Sequence, residues 1–310
     1  MKILVTGGAG YLGSVLVGEL LAAGHDVLAV DNFRYGQTSL LPYCADKRFD
    51  VVRGDARDRE LMARCLEGAD YIFPLACLTG APLCSQDPVG SQTINHDAVA
   101  MLLDLRAPGQ RIIFPTTNSG YGVGEAGKFC TEDTPLRPVS LYGKQKVAVE
   151  RKLLAAEDTL TFRFATLFGV SGRMRLDLLV NDFVCRAVRD RFLVLFEAHF
   201  KRNFLHVRDA ARAFLHAMEH FDDMAGRPYN VGLSDANLSK LELCEEIRKQ
   251  LPDFYFTEYE LGRDPDKRDY IVSNERIEAT GFAPAFSLAD GIAELIKACR
   301  VMPRTLFGNV

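Results

Sequence analysis

Six short, mostly apolar runs mark the first half of the chain: KILVT (2–6), VLAVD (27–31), DVVRGD (50–55), YIFPLA (71–76), RIIFPT (111–116) and TFRFAT (161–166). Runs of this length and content are the pattern of strands covered on both faces. Amphipathic stretches with helical spacing separate them, among them Leu12 to Ala23 and Leu141 to Leu154. The alternation predicts βαβ units and a doubly wound parallel α/β sheet. After Phe168 the regularity fails in GVSGRMRLD. A helix-like LLVNDFVCRAVRD and an apolar strand FLVLF follow, then the strand-helix unit RNFLHVRDAARAFLHAME, and from about Asp235 short helices and loops are expected to the end. The expected organisation is one nucleotide-binding domain (1–168 plus about 203–232) and a smaller C-terminal α/β domain (about 169–202 plus 233–310).

The 310 residues are 48% apolar, enough to fill a substantial core. Basic residues number 37 against 41 acidic, a net charge of -4, so no basic surplus points to nucleic acid and no polybasic run to an anionic membrane. The first apolar run, Ile3 to Val5, is too short for a signal-peptide core or a membrane span, and a cytoplasmic protein is expected. Eight scattered cysteines form no CxxC pair and read as small buried hydrophobes, and with the histidines equally dispersed no metal site is expected.

The stretch VTGGAGYLGS sets Gly7, Gly8, Gly10 and Gly13 between the first strand and the first helix. There the backbone must turn sharply, and its close approach to a pyrophosphate leaves no room for Cβ atoms. The helix N-terminus then faces the anion. Asp31 ends the second strand eighteen residues past Gly13, placed to accept from a ribose 2′-hydroxyl and to repel a 2′-phosphate. NAD, rather than NADP, on a Rossmann sheet is therefore expected. Arg34 reads as a surface residue. Asp55, after the third strand, is placed to meet the adenine amino group or to cap the helix RDRELMARCL.

Tyr142 and Lys146 stand four apart on the helix SLYGKQKVAVERKLL and so share a face. A phenol titrates near ~10, and making it a base at neutral pH takes roughly 4 kcal/mol of selective stabilisation of the phenolate. A neighbouring ammonium and a cationic nicotinamide supply charges of the right sign.

Taken together, TGGAGYLG, Asp31, Thr117, YGKQK and RNFLHVRDAARA resemble the extended short-chain dehydrogenase/reductase family acting on nucleotide sugars, over nearly the whole chain. The resemblance implies that Thr117 hydrogen-bonds the sugar 4-hydroxyl, that Tyr142 removes its proton, and that Lys146 lowers the tyrosine pKa and holds the nicotinamide ribose. It implies a cofactor channel of Gly7, Gly10, Tyr11, Leu12, Gly13, Asp31, Asn32, Phe33, Asp55, Ala56, Leu75, Ala76 and Cys77, with Asn95 steadying the active-site helix. The C-terminal unit becomes a nucleotide-sugar-binding domain, with Arg202, Arg263 and Arg268 as candidates for the diphosphate and Val180, Asn181 and Phe196 around base and ribose. Thr79, Asn118, Ser119, Arg173 and Arg175 complete the expected substrate contacts.

Asn118 and Ser119 decide the chemistry. The family's 4,6-dehydratases place Asp-Glu there and its sugar-acid decarboxylases a glutamate at the second position; an amide and a hydroxyl replace neither. C4 oxidation remains, as a 4-dehydrogenase or 4-epimerase in surface-polysaccharide sugar biosynthesis. Thr166 departs from the asparagine common at its position. TGAPLC, TNSGYG, MRLDLLVNDF and DPDKRDYIVSN resemble a narrower GDP-manno-heptose 4-dehydrogenase subgroup, with UDP-sugar 4-epimerisation as the alternative. A non-catalytic dinucleotide-binding regulator, the rival of another class, would typically have lost the tyrosine. The resemblance further implies a homodimer through helices near 90–104 and 141–155.

Overall fold

The seven-stranded sheet at the centre of the computed structural model, which describes residues 1–125, 127–259 and 268–302, is parallel throughout. Its order across the sheet is Pro228–Val231, Thr159–Phe164, Arg111–Thr117, Tyr71–Pro74, Lys2–Thr6, Asp26–Asp31 and Phe49–Arg53. The chain starts at Lys2–Thr6 near the middle, winds outward through two strands, then crosses back to Tyr71–Pro74 on the other side. That reversal opens a crevice at the carboxyl ends of Lys2–Thr6 and Tyr71–Pro74, where ligands of such sheets bind.

Burial on both faces explains the apolar runs. On one face Leu16, Val17 and Leu20 of the helix Tyr11–Ala22 meet Ala210 and Phe214 of the helix Val207–Glu219 over Phe73 and Phe162. Phe214 packs its ring 4.9 Å from that of Phe73 and 5.5 Å from that of Phe162. On the other face Leu4, Ile72, Ile112 and Phe114 lie under Leu102 of the helix Ala98–Leu105 and Val149 and Leu153 of Leu141–Leu154. A π-helical turn at Thr93–Asp97 precedes Ala98–Leu105 and holds the buried Asn95.

A second core gathers Phe168, Val184, Leu193, Phe204, Leu243, Ile247, Ile292 and Leu295. Here the sequence expectation of short helices after Asp235 fails: Lys240–Gln250 and Leu288–Val301 run 11 and 14 residues. Each opens with a capping box, Ser239 with Glu242 and Ser287 with Asp290, a local signal that was present in the chain. The strand Lys201–His206 stays out of the large sheet and pairs with Thr166–Phe168 and Asn237–Ser239. Cys185 and Cys299 are disulfide-bonded with their Cα atoms 5.4 Å apart, tying the helices Leu179–Arg189 and Leu288–Val301 together. The reading of all cysteines as small hydrophobes is corrected for these two, whose 114-residue separation hides the pairing from sequence; Cys44 is exposed as well. Among the described residues no cluster of His, Cys, Asp or Glu has metal-binding geometry, and no helix is long and apolar enough to cross a membrane.

Candidate active site

Gly7 has φ +70°, and a Cβ on it would fall 2.6 Å from the Ala76 nitrogen. One on Gly13 would fall 2.3 Å from the Gly7 carbonyl oxygen. At both positions glycine is a packing requirement of the turn itself. Gly10 differs: a Cβ there would meet only the Gly7 carbonyl, at 3.1 Å, so the rest of its surface faces the cleft. Gly10 also caps the helix Tyr11–Ala22, whose first turn has neither a side-chain cap nor an acidic residue. A diphosphate fits such an end, with backbone N–H groups and the helix dipole both favouring negative charge.

Asp31, at the end of the adjacent strand, accepts from the Ala9 nitrogen (3.0 Å), the Phe33 nitrogen (2.8 Å) and Gln37 Nε2 (3.3 Å). Burial raises its pKa and these donors oppose that rise. Asp55 is bound by Arg57 through both carboxylate oxygens, at 2.9 and 2.6 Å, which holds its carboxyl below the usual range. It is not the cap of the following helix. Asp58 is, accepting from the Leu61 nitrogen at 3.0 Å.

The cleft has a volume of about 640 Å³, within the range of small-molecule sites. Gly7, Gly10, Tyr11, Leu12, Gly13, Asp31, Asn32, Asp55, Ala56, Leu75, Ala76 and Cys77 all line it. Phe33 does not; in a left-handed conformation (φ +53°) it packs on the core beside the first helix. Asn95 stands behind the wall. Its Oδ1 accepts from the Leu78 nitrogen (2.9 Å), and Nδ2 donates to the Leu78 carbonyl (3.1 Å) and to Gln145 Oε1 (3.0 Å), joining the wall to the helix Leu141–Leu154.

Thr117, Tyr142 and Lys146 line the same cleft. Thr117 Oγ1 accepts from the Ser119 nitrogen (3.1 Å) and donates to Ser119 Oγ (3.0 Å). Ser140 caps the helix that presents Tyr142 and Lys146, accepting from the Gly143 nitrogen at 3.1 Å. Lys146 is buried, donates to the Pro115 carbonyl at 2.9 Å and stands 4.2 Å above the Phe114 ring. Burial pushes its pKa down, with the Cys77 thiol opposing. For Tyr142, burial is the largest influence and raises the phenol well above its ordinary value; Cys77 adds to the rise, and the guanidinium groups of Arg175 and Arg268 oppose it. In the side chains alone, desolvation exceeds the neighbouring cations; the expected lowering by Lys146 and a nicotinamide belongs to the NAD-loaded protein.

Of the expected substrate residues, Thr79, Ser119, Arg173, Arg175, Arg202 and Arg268 line the cleft. Arg268 donates to Ser119 Oγ, and Arg175 is ion-paired with Asp177. Asn118 is buried behind the surface, with neither amide atom hydrogen-bonded among the described residues. Three others are absent from the cleft lining among the described residues. Val180 is wholly buried in the second core. Asn181 is buried with its amide engaged by Gly169, Tyr11 and the Arg175 carbonyl. Phe196 lies outside the cleft lining, ring-to-ring with Tyr259 at 6.4 Å. The resemblance placed these residues by position in the chain alone, whereas packing takes Val180 and Asn181 into the interior and leaves Phe196 exposed. Arg263 lies outside the described residues. Sequence reasoning missed Tyr35, Gln37, Arg57 and Asp177, loop residues that line the cleft with no motif to announce them.

Residues 3–232 match the NAD dependent epimerase/dehydratase family. The chain is 30% identical to the low-salt glycan biosynthesis protein Agl12 of Haloferax volcanii, with 94% of this chain and 96% of that protein covered. Its fold is similar to that of a UDP-glucose 4-epimerase from Thermotoga maritima solved with UDP-glucose, at a TM-score of 0.85 and 24% identity, covering 97% of this chain and 99% of that one. It is similar also to the dTDP-glucose 4,6-dehydratase DesIV of Streptomyces venezuelae solved with NAD, at a TM-score of 0.83 and 27% identity over 97% of each chain.

Proposed function

This chain is a member of the NAD dependent epimerase/dehydratase family, and on that footing we propose that it oxidises C4 of a nucleotide-diphosphate sugar, as a 4-dehydrogenase or a 4-epimerase. The observation that carries the reading is the convergence of Thr117, Tyr142 and Lys146 on one cleft with the glycine-rich turn and Asp31. When bound, NAD supplies the acceptor for the C4 hydrogen and a positive charge that favours the phenolate. Thr117 orients the 4-hydroxyl, Tyr142 takes its proton as the C4–H bond breaks, and the buried Lys146 steadies the charge on the phenol oxygen. The C4 oxygen is left as a carbonyl. A 4-epimerase reduces that ketone in place on its other face; a 4-dehydrogenase releases it.

Arg202 and Arg268, with Arg263, are the proposed diphosphate ligands. We keep GDP-heptose as the proposed substrate on the subgroup resemblance, with a UDP-sugar as the alternative, and similarity to a glycan biosynthesis protein supports a place in polysaccharide sugar synthesis. Dehydration is disfavoured by two observations. The positions after Thr117 are Asn118 and Ser119. Among the described residues each carboxylate of the cleft has a partner: Asp31 the Ala9 and Phe33 amides, Asp55 Arg57, Asp87 the Gly90 amide, Asp177 Arg175, Asp182 Arg186. Incubation with GDP- and UDP-sugars carrying deuterium at C4, read by NMR of the sugar, tests the proposal. Retention at an inverted C4 identifies the epimerase and loss with a 4-ketone the dehydrogenase. A C4 untouched in every candidate sugar, or a 6-deoxy product, contradicts both.

A further inference from the structure

Residues 169–175 leave the strand Thr166–Phe168 and lie across the glycine-rich turn. Ser171 Oγ donates to the Tyr11 carbonyl (2.6 Å) and shares a hydrogen bond with Ser14 Oγ (3.0 Å). The Tyr11 hydroxyl donates to the Gly169 carbonyl (2.7 Å). Gly172 packs so closely that a Cβ on it would sit 3.1 Å from Cβ of Ser39, whose hydroxyl donates to the Ala9 carbonyl at 2.7 Å. This strap carries the buried Arg173 onto the ring of Tyr35, with the guanidinium carbon 4.6 Å from the centroid, and Arg173 also donates to the Met174 carbonyl.

The position of that stack along the cleft decides what it serves. Tyr35 follows the strand Asp26–Asp31, whereas Thr117 ends Arg111–Thr117, three strands away in the sheet. At about 4.8 Å per strand, that is roughly 14 Å. A dinucleotide laid along the carboxyl edge, with its diphosphate on the glycine turn, has its adenosine half at Asp31 and its reactive ring toward Thr117. Arg175, two residues on, is instead ion-paired with Asp177.

We propose that Arg173, delivered by the strap and stacked on Tyr35, is a cofactor residue that latches the adenosine diphosphate half of NAD into the cleft, rather than a contact for the sugar nucleotide. The inference rests on NAD occupying this cleft. A guanidinium held over an aromatic ring at the cleft wall is restricted in the directions of its N–H donors, which suit phosphate or ribose oxygens.

Exchange of bound NAD against labelled NAD, together with the affinities for ADP-ribose and for GDP and UDP alone, tests this. Arg173→Met is expected to speed NAD exchange and weaken ADP-ribose binding by about tenfold or more, the loss of one charged hydrogen bond. Affinities for GDP and UDP should stay within about twofold on the same footing, and Arg173→Lys should recover part of the loss. Tyr35 is 40% exposed, so Tyr35→Leu should fold normally and show the same direction of change, which keeps the test intact if Arg173→Met does not fold. Unchanged NAD exchange in a folded variant, or a loss confined to GDP and UDP, overturns the latch alone. A wild-type protein that binds no NAD overturns the cofactor reading as well.

Discussion

Thr117 uses one oxygen twice: it receives the Ser119 amide at the start of the short helical turn after the strand, and its proton goes to Ser119 Oγ. Thr117→Val removes both bonds while keeping the shape. The expected cost is about 1 kcal/mol of stability, typical of a lost cap, and roughly a 10- to 100-fold fall in turnover, the loss of one oriented hydrogen bond to substrate. Thr117→Ser should restore both, and full turnover in Thr117→Val would remove the hydroxyl from the chemistry. At this scale the sequence was most legible where spacing alone fixes a neighbour. Tyr142 and Lys146 share a helix face because four residues make about a turn, and Gly7 must be glycine because φ is positive and Ala76 leaves no space. The burial of Tyr142 was not legible because desolvation depends on everything packed around the ring, and a local motif contains only Lys146.

Among the elements, the apolar strands were legible because parallel strands are buried on both faces, and KILVT is observed as Lys2–Thr6. The C-terminal helix Leu288–Val301 was not, although it anchors the strap from below. Its Glu294 pairs with the buried His206 (2.8 Å) and with Arg208 (3.3 Å), and accepts from the Val170 nitrogen (3.1 Å). Burial pushes the Glu294 pKa up, but the His206 and Val170 donors outweigh it and leave the carboxyl below its ordinary value. A carboxyl depressed by folding adds stability above its unfolded pKa of about 4.3 and loses it as pH falls through the lower folded value. Glu294→Gln should therefore be less stable than wild type by about 1–2 kcal/mol at pH 7, and the gap should close below about pH 4. Thermal unfolding across pH 3 to 7 measures this, and a gap that stays constant into acid would refute the ionic role.

For the whole molecule, a dinucleotide sheet and a second core meet at one cleft, and the Cys185–Cys299 bond staples the second core. Under non-reducing denaturation, thiol titration should find six reactive cysteines, the remainder of eight. Eight would show the two thiols reduced, as in a reducing compartment. The proposed homodimer pairs the helices near 90–104 and 141–155; sedimentation should then give the mass of two chains, and a single-chain mass would refute it. That pairing was implied by resemblance alone, because the same apolar residues serve a monomer core. The Tyr142 phenol is proposed to take the proton from the sugar 4-hydroxyl. The most direct measurement is the single-turnover rate of Tyr142→Phe on the sugar nucleotide that wild type oxidises, with bound NAD quantified in both proteins. A fall of roughly 10²- to 10⁴-fold at equal NAD content is expected, and a rate within about twofold of wild type would contradict it.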